Sequence, residues 1–256
     1  MCTIIVLNDC VPGYSLIIAA NRDERYDRPS SPPAKRRLGD LDVIVPWDDK
    51  KDGTWMGVAR EGWFVGLTNQ DDGKHDEHAK SRGHVVVDCL CSGNHTAAAK
   101  VIAHLDPMHY NPFNVVFGRP RAMFLTRVMP GQVLEMLPLM DDVHVISNDC
   151  WSGAYDTKTE WGKRFIKSMI HDPPVTDINH VLSRLMMTLS SHRNATTEDP
   201  FQALCVHADK HSFGTRSTSI ITVSNEGVVE YFYSEGHPCS MSAPLIKVGT
   251  LEHVNE

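Results

Sequence analysis

Residues 2–7, Cys-Thr-Ile-Ile-Val-Leu, open the chain with a β-branched apolar run. Branched side chains fit a pleated surface and lose rotamer freedom in a helix, so the run reads as a buried strand. A turn segment, Asn8 to Gly13, leads to a second apolar run, Tyr14 to Ala20, and then to Asn21-Arg22-Asp23-Glu24. Antiparallel strands of similar length return to their origin, so this pattern predicts a hairpin that carries the tetrapeptide back beside Cys2. A carboxylate and a guanidinium there could hold an ammonium group and fix the thiol. The tetrapeptide also reads as a charged strand end, because Arg25, Asp27 and Arg28 continue the charge and Pro29 to Pro33 break regular structure.

Cys2 follows Met1 directly, and a small residue at that position permits aminopeptidase removal of Met1. Removal would leave one residue carrying both a thiol and an α-amine. The thiol ionises with a reference pKa of about 8.5 and the amine with one of about 8. The amine can then take the thiol's proton and later return it to a leaving group, so nucleophile and base are one residue. A Met-Cys start also arises by chance, and alone it carries no more than that.

Met1-Cys2, Ala19-Ala20 before Asn21-Arg22-Asp23-Glu24, Arg28-Pro29 and Gly53-Thr54-Trp55 form an ordered set of motifs. The set continues through Gly66-Leu67-Thr68-Asn69, Asn111-Pro112-Phe113-Asn114, Ser147-Asn148 and Gly214-Thr215-Arg216. In these motifs and their order the sequence resembles the NRDE family. The family in turn is distantly similar to N-terminal-nucleophile amidases of the bile-salt and penicillin-V acylase type. That resemblance implies an α+β fold, a four-layer αββα sandwich formed by one domain over residues 1–256, with Cys2 opening a central strand. It implies a nucleophile at Cys2, an oxyanion-hole role for Asn69, a second active-site asparagine at Asn148 and a supporting role for Arg216. The amidase pattern has an arginine followed three residues on by an aspartate. The matching positions here are Asn21 and Glu24, with Arg22 and Asp23 between them, so the charge types survive in a shifted arrangement.

Two functions follow. One is a Cys2-dependent amidohydrolase acting on a linear acyl-amide, with Asp23 or Glu24 and Arg216 positioning the N-terminus and Asn69 stabilising the oxyanion. The other, implied by the NRDE resemblance, is haem trafficking or the handling of acyl-CoA or lipid, with transient contact to haem donor and acceptor proteins. Fourteen histidines are compatible with haem, and the lack of a C-x-x-C-H attachment motif makes any haem noncovalent. Cys2 and His207 are candidate ligands, and Trp55 and Trp63 could wall a flat apolar pocket. Each also has an ordinary structural reading, the tryptophans as core anchors and the histidine as a surface residue.

Composition narrows the field. A formal charge of −7 disfavours nucleic acid as a partner. The start lacks the charged and apolar pattern of a signal peptide, and no window approaches the roughly 18 apolar residues of a membrane span, so a cytoplasmic location is expected. Seven scattered cysteines then read as reduced thiols. No metal-ion site is evident, since the Cys89-x-Cys91 pair has no second pair to complete it. Lys35-Arg36-Arg37 reads as a solvated loop, as do Asp48-Asp49 and Asp71-Asp72.

Periodicity predicts strands at 2–8, 14–21, 55–60, 63–68, 113–118, 122–127, 132–137, 143–147, 202–208, 217–224 and 227–233. It predicts helices at 79–91, 95–105, 158–171 and 176–191. The last carries Ile178, Val181, Leu182, Leu185, Met186 and Leu189 as a core-facing stripe.

Overall fold

The opening hairpin forms with the predicted return: β1 (Cys2–Val11) and β2 (Tyr14–Arg25) pair antiparallel, Cys2 opposite Arg22 and Thr3 opposite Asn21. A computed structural model describes residues 2–70, 75–148, 157–171, 177–240 and 242–252. Met1, Asp71, Asp72 and Cys150 lie outside the described residues.

The chain continues through β3 (Ser30–Leu38), β4 (Leu41–Asp48), β5 (Met56–Ala59) and β6 (Phe64–Asn69) to helices α1 (Arg82–Cys91) and α2 (His95–Ala103). Next come β7 (Phe113–Arg119), β8 (Ala122–Met129), the short β9 (Gln132–Val133) and β10 (Leu137–Pro138), and β11 (Val143–Ile146). Helices α3 (Thr157–His171) and α4 (Ile178–Leu189) precede β12 (His207–Ala208), β13 (Phe213–Ser224), β14 (Val229–Glu235) and β15 (Ile246–Leu251). The first sheet has the order β11-β1-β2-β13-β14-β15, with β12 paired to β13. The second runs β10-β8-β7-β6-β5-β4-β3, with β9 paired to β8.

Side-chain alternation explains why these sheets stack into four layers. Along β1 and β2, Ile4, Val6, Leu16 and Ile18 face the second sheet and meet Ile44, Met56, Val58, Phe64 and Val116. The intervening Ile5, Leu7, Ile17 and Ala19 face the other way, onto Ile166 and Ile170 of α3 and Val181, Leu182, Leu185 and Leu189 of α4. The second sheet does the same with α1 and α2, through Val43, Val45, Val65 and Val115 against Val85, Val86, Leu90, Ala98 and Ile102. Strands buried on both faces account for the continuous apolar runs in the sequence. The result is the αββα sandwich of an N-terminal-nucleophile-hydrolase-like fold.

Three expectations are corrected. Ser30 to Pro33 and Lys35-Arg36-Arg37 do not form a loop; they belong to β3, at the edge of the second sheet. The register slips between Ser31 and Ala34, where Pro32 and Pro33 need donate no ladder hydrogen bond, and charges are well placed on an edge. The predicted strand at 202–208 is a short 3₁₀ turn, Pro200–Gln202, and the two residues of β12. The run at 132–137 breaks into β9 and β10. No helix among the described residues is long and apolar enough to cross a membrane.

Candidate functional site around Cys2

Cys2 begins a central strand of the first sheet, 8 % exposed, at the mouth between the two sheets. A cavity of about 10 Å³ beside it is lined by Cys2, Ile4, Ala20, Arg22, Trp55 and Leu67 among others. That is room for about one water molecule. Asn21 also borders the cavity, and parity decides which tetrapeptide side chains turn towards it. Cys2 is paired with Arg22, so both side chains leave the same face of the hairpin, while Thr3, Asn21 and Asp23 leave the opposite face.

Arg22 is 5 % exposed, and its guanidinium lies 4.3 Å from the centre of the Trp55 ring. Its Nη1 is buried without a hydrogen-bond partner. Stacking on the indole accommodates the charge in part but leaves that donor unsatisfied. Trp55 reaches this position because Gly53 and Gly83 let two backbones meet: a Cβ on Gly53 would sit 3.0 Å from the Gly83 carbonyl carbon, at the start of α1. Arg82, in the first turn of α1, was not singled out in the sequence. Burial pushes its guanidinium below the ordinary value, opposed by the nearby Cys2 and Glu24, and its Nη1 donates to the Pro112 carbonyl at 3.2 Å.

Asn21, the position matching the amidase arginine, has a different task. Its Nδ2 donates to the Leu189 carbonyl at 2.9 Å and the Leu204 carbonyl at 2.8 Å, and its Oδ1 accepts from Thr218 at 2.6 Å. It ties the end of α4 to the sheet. Asp23 is 1 % exposed and accepts from the Thr215 hydroxyl at 2.6 Å. Burial pushes its carboxyl above the ordinary range, opposed by Lys158 and the Thr215 bond. Glu24 is half-buried, accepts from the Arg25 amide and lies 3.7 Å from Arg28, which is bound to Asp48 at 2.6 Å.

Asn148 does come to Cys2: its Oδ1 accepts from the Cys2 backbone nitrogen at 3.3 Å. The segment holding it is fixed by Asn114, whose Nδ2 donates to the Ser147 carbonyl at 3.1 Å and to Thr68 at 2.9 Å. Asn114 belonged to a family motif, yet its supporting role follows only from the stacking of β7 on this segment. Asn69 ends β6, half-buried, two residues beyond the cavity-lining Leu67. Arg216 sits at a bulge of β13 and donates to the carbonyls of Tyr26 and Arg25. Trp63 does not line the Cys2 cavity; it is 1 % exposed and its indole N–H donates to the Leu90 carbonyl at 3.0 Å, anchoring α1. His207 lies away from the cavity lining too, among other histidines and cysteines.

Burial pushes the Cys2 thiol above its ordinary value, while the Asp23 amide and the Arg22 charge pull it back. A neutral buried thiol needs a base or a metal to become reactive. With Met1 attached, the Cys2 nitrogen is an amide and cannot serve. Without Met1, the same nitrogen is an α-amine adjacent to Asn148 Oδ1.

The fold is N-terminal-nucleophile-hydrolase-like, with Cys2 at the start of a central strand. Similar solved structures include an N-acylethanolamine-hydrolyzing acid amidase ortholog from Caenorhabditis elegans, at TM-score 0.56 and 13% identity, covering 86% of this chain and 92% of that one. A mutant of the conjugated bile acid hydrolase from Clostridium perfringens is similar at TM-score 0.54 and 10% identity, covering 100% and 99%. Those identities establish shared fold alone. The chain belongs to the Transport and Golgi organisation 2 family, whose model matches residues 1–236. It is 32% identical to the human Transport and Golgi organization protein 2 homolog over 90% of this chain and 91% of the relative. The Mus musculus homolog is 25% identical with the same coverage, and the Drosophila melanogaster protein 22% identical over 90% of each.

Proposed function

We propose that the chain carries a hydrophobic compound with an anionic end at the Cys2–Arg22–Trp55 site, with noncovalent haem and acyl-CoA as the two cargo classes. The observation that supports this reading is Arg22: a buried guanidinium with an unbonded Nη1, set among apolar walls. Burying a cation costs several kcal/mol unless a counter-charge compensates it, and a carboxylate or phosphate of the cargo supplies one. Arg22 would hold a haem propionate or a phosphate of acyl-CoA, Trp55 would supply an apolar wall, and Cys2 would supply a thiolate able to ligate iron. Ligand pockets occupy about 300 Å³ or more, so either cargo requires Trp55 to swing away from Arg22 and open the space between the sheets.

A second reading has one observation behind it, the 3.3 Å contact between Asn148 Oδ1 and the Cys2 nitrogen. After Met1 removal, Sγ would add to an amide carbonyl while the α-amine takes the thiol proton and delivers it to the departing amine. Water then hydrolyses the resulting thioester, releasing the acid and regenerating the thiol. A single preparation tests both. The full chain is titrated with haem and with an acyl-CoA, reading the Soret band and tryptophan fluorescence, and its intact mass is recorded. Saturable binding that weakens at least about tenfold in Arg22→Met supports carriage. Carriage fails if neither compound saturates, or if Arg22→Met binds as well as the parent. A mass retaining Met1 excludes the hydrolytic step, because no amine is then available.

A further inference from the structure

Four metal-ligating side chains from three separate segments meet on the far side of the tetrapeptide. The ligand atoms of His192, Cys205, His207 and Cys239 all lie within 4.8 Å of one another. His207 Nε2 lies 3.2 Å from Cys239 Sγ and 3.6 Å from Cys205 Sγ. A tetrahedral ion with sulfur at about 2.3 Å and nitrogen at 2.0–2.1 Å sets its ligands roughly 3.3–3.8 Å apart. We propose that His192, Cys205, His207 and Cys239 form a tetrahedral S₂N₂ site for a divalent metal of the zinc(II) class.

The backbone already holds the three segments together. The Cys205 amide donates to the Ser191 carbonyl at 3.0 Å, which seats His192 beside Cys205. Ser190 Oγ donates to the Pro238 carbonyl at 2.9 Å, which brings the turn bearing Cys239 to the end of α4. Cys205 and His207 flank Val206, whose amide donates to Thr215 Oγ1 at 2.9 Å. A third imidazole, His237, stacks on His207 with centroids 4.0 Å apart, and its Nδ1 is buried without a partner.

The chemistry of the donor set favours a metal. Two adjacent thiols resist ionising together, because like charges at this separation repel. A dication removes that obstacle: it takes two thiolates and two neutral imidazoles, and two protons leave for solvent. Thiolate and imidazole in tetrahedral array select zinc over calcium or magnesium. The ion would also position the tetrapeptide. Leu204, beside Cys205, accepts from Asn21, and the Val206–Thr215 bond leads to Asp23.

Cobalt(II) titration of the full chain under reductant tests the site, with zinc sulfate as competitor. The expected result is about one cobalt per chain showing tetrahedral d–d absorption and a thiolate charge-transfer band, both bleached by zinc. Cys239→Ser and His192→Asn, both at exposed positions, should each weaken cobalt binding at least about tenfold. Cys91→Ser, an exposed cysteine elsewhere, should leave binding unchanged. Zinc should raise the Tm of the parent but not of Cys239→Ser. A pale octahedral cobalt spectrum without the charge-transfer band, or full binding retained in both Cys239→Ser and His192→Asn, overturns the site. That failure would leave the Cys2 cavity reading intact, because the two share no ligand.

Discussion

Asn21 and Arg22 are neighbours on β2, yet they serve opposite faces of one strand. Asn21 spends its amide on Leu189, Leu204 and Thr218, binding α4 and the segment before β12 to the first sheet. Arg22 instead lies in the Cys2 cavity with Nη1 unbonded and its plane over Trp55. A polar group that satisfies its partners inside the fold is architecture; one left unsatisfied at equal burial is available to something from outside. The tetrapeptide therefore divides by parity. Asn21 and Asp23 hold layers together, and Arg22 faces the ligand space.

Substitutions that ignore this division should show it most clearly. Asn21→Ala leaves two buried carbonyls and the Thr218 hydroxyl without their partner. A stability loss of about 3 kcal/mol or more follows, at roughly 1–3 kcal/mol per orphaned group. Urea unfolding reads it directly, and a loss under about 1 kcal/mol would break the comparison. Asp23→Asn tests the same face through pH. The folded carboxyl titrates above its ordinary value near 3.8, so the native state binds the proton more tightly than the unfolded chain. Its contribution is then full below the ordinary value and is lost as pH rises through the raised one. Thermal melts from about pH 4 to 7 should show that decline in the parent and a flatter profile in Asp23→Asn. An identical slope in both would place the titration elsewhere. Arg22→Met should have the smallest effect on the fold, within about 1 kcal/mol of the parent, because an incompletely bonded buried cation contributes little net stability. A loss as large as that of Asn21→Ala would make Arg22 architectural too and remove the ground for reading it as a ligand contact.

Much of the fold was legible before any coordinates. The hairpin of β1 and β2, the paired strands β5–β6 and β7–β8, and all four helices fall within a few residues of their expected spans. Those segments carry dense apolar or periodic patterns, and the pattern reports burial directly. β3, β4 and β15 escaped: β3 and β15 are edge strands, and a half-solvated strand such as β3, rich in Lys, Arg and Pro, reads as loop, while β4 has only a short buried apolar centre between acidic residues. At the site, Cys2, Arg22, Asp23 and Asn148 were named from the sequence, and the structure gathers all four around the start of β1. Their division of labour was not legible, since which face a residue takes depends on the register with β13 and on what packs outside it.

The sequence by itself determined that Cys2 opens a buried strand and that a hairpin returns the tetrapeptide to it. Local periodicity and strand length suffice for that, because both strands are continuous in the chain. Only the tertiary structure decided what surrounds them. Trp55 reaches Arg22 through the meeting of Gly53 and Gly83, Asn148 arrives behind the neighbouring strand β11, and His192, Cys205, His207 and Cys239 assemble from segments up to 47 residues apart by numbering. Contacts between distant segments are set by how layers stack, and stacking leaves no local trace in composition or spacing.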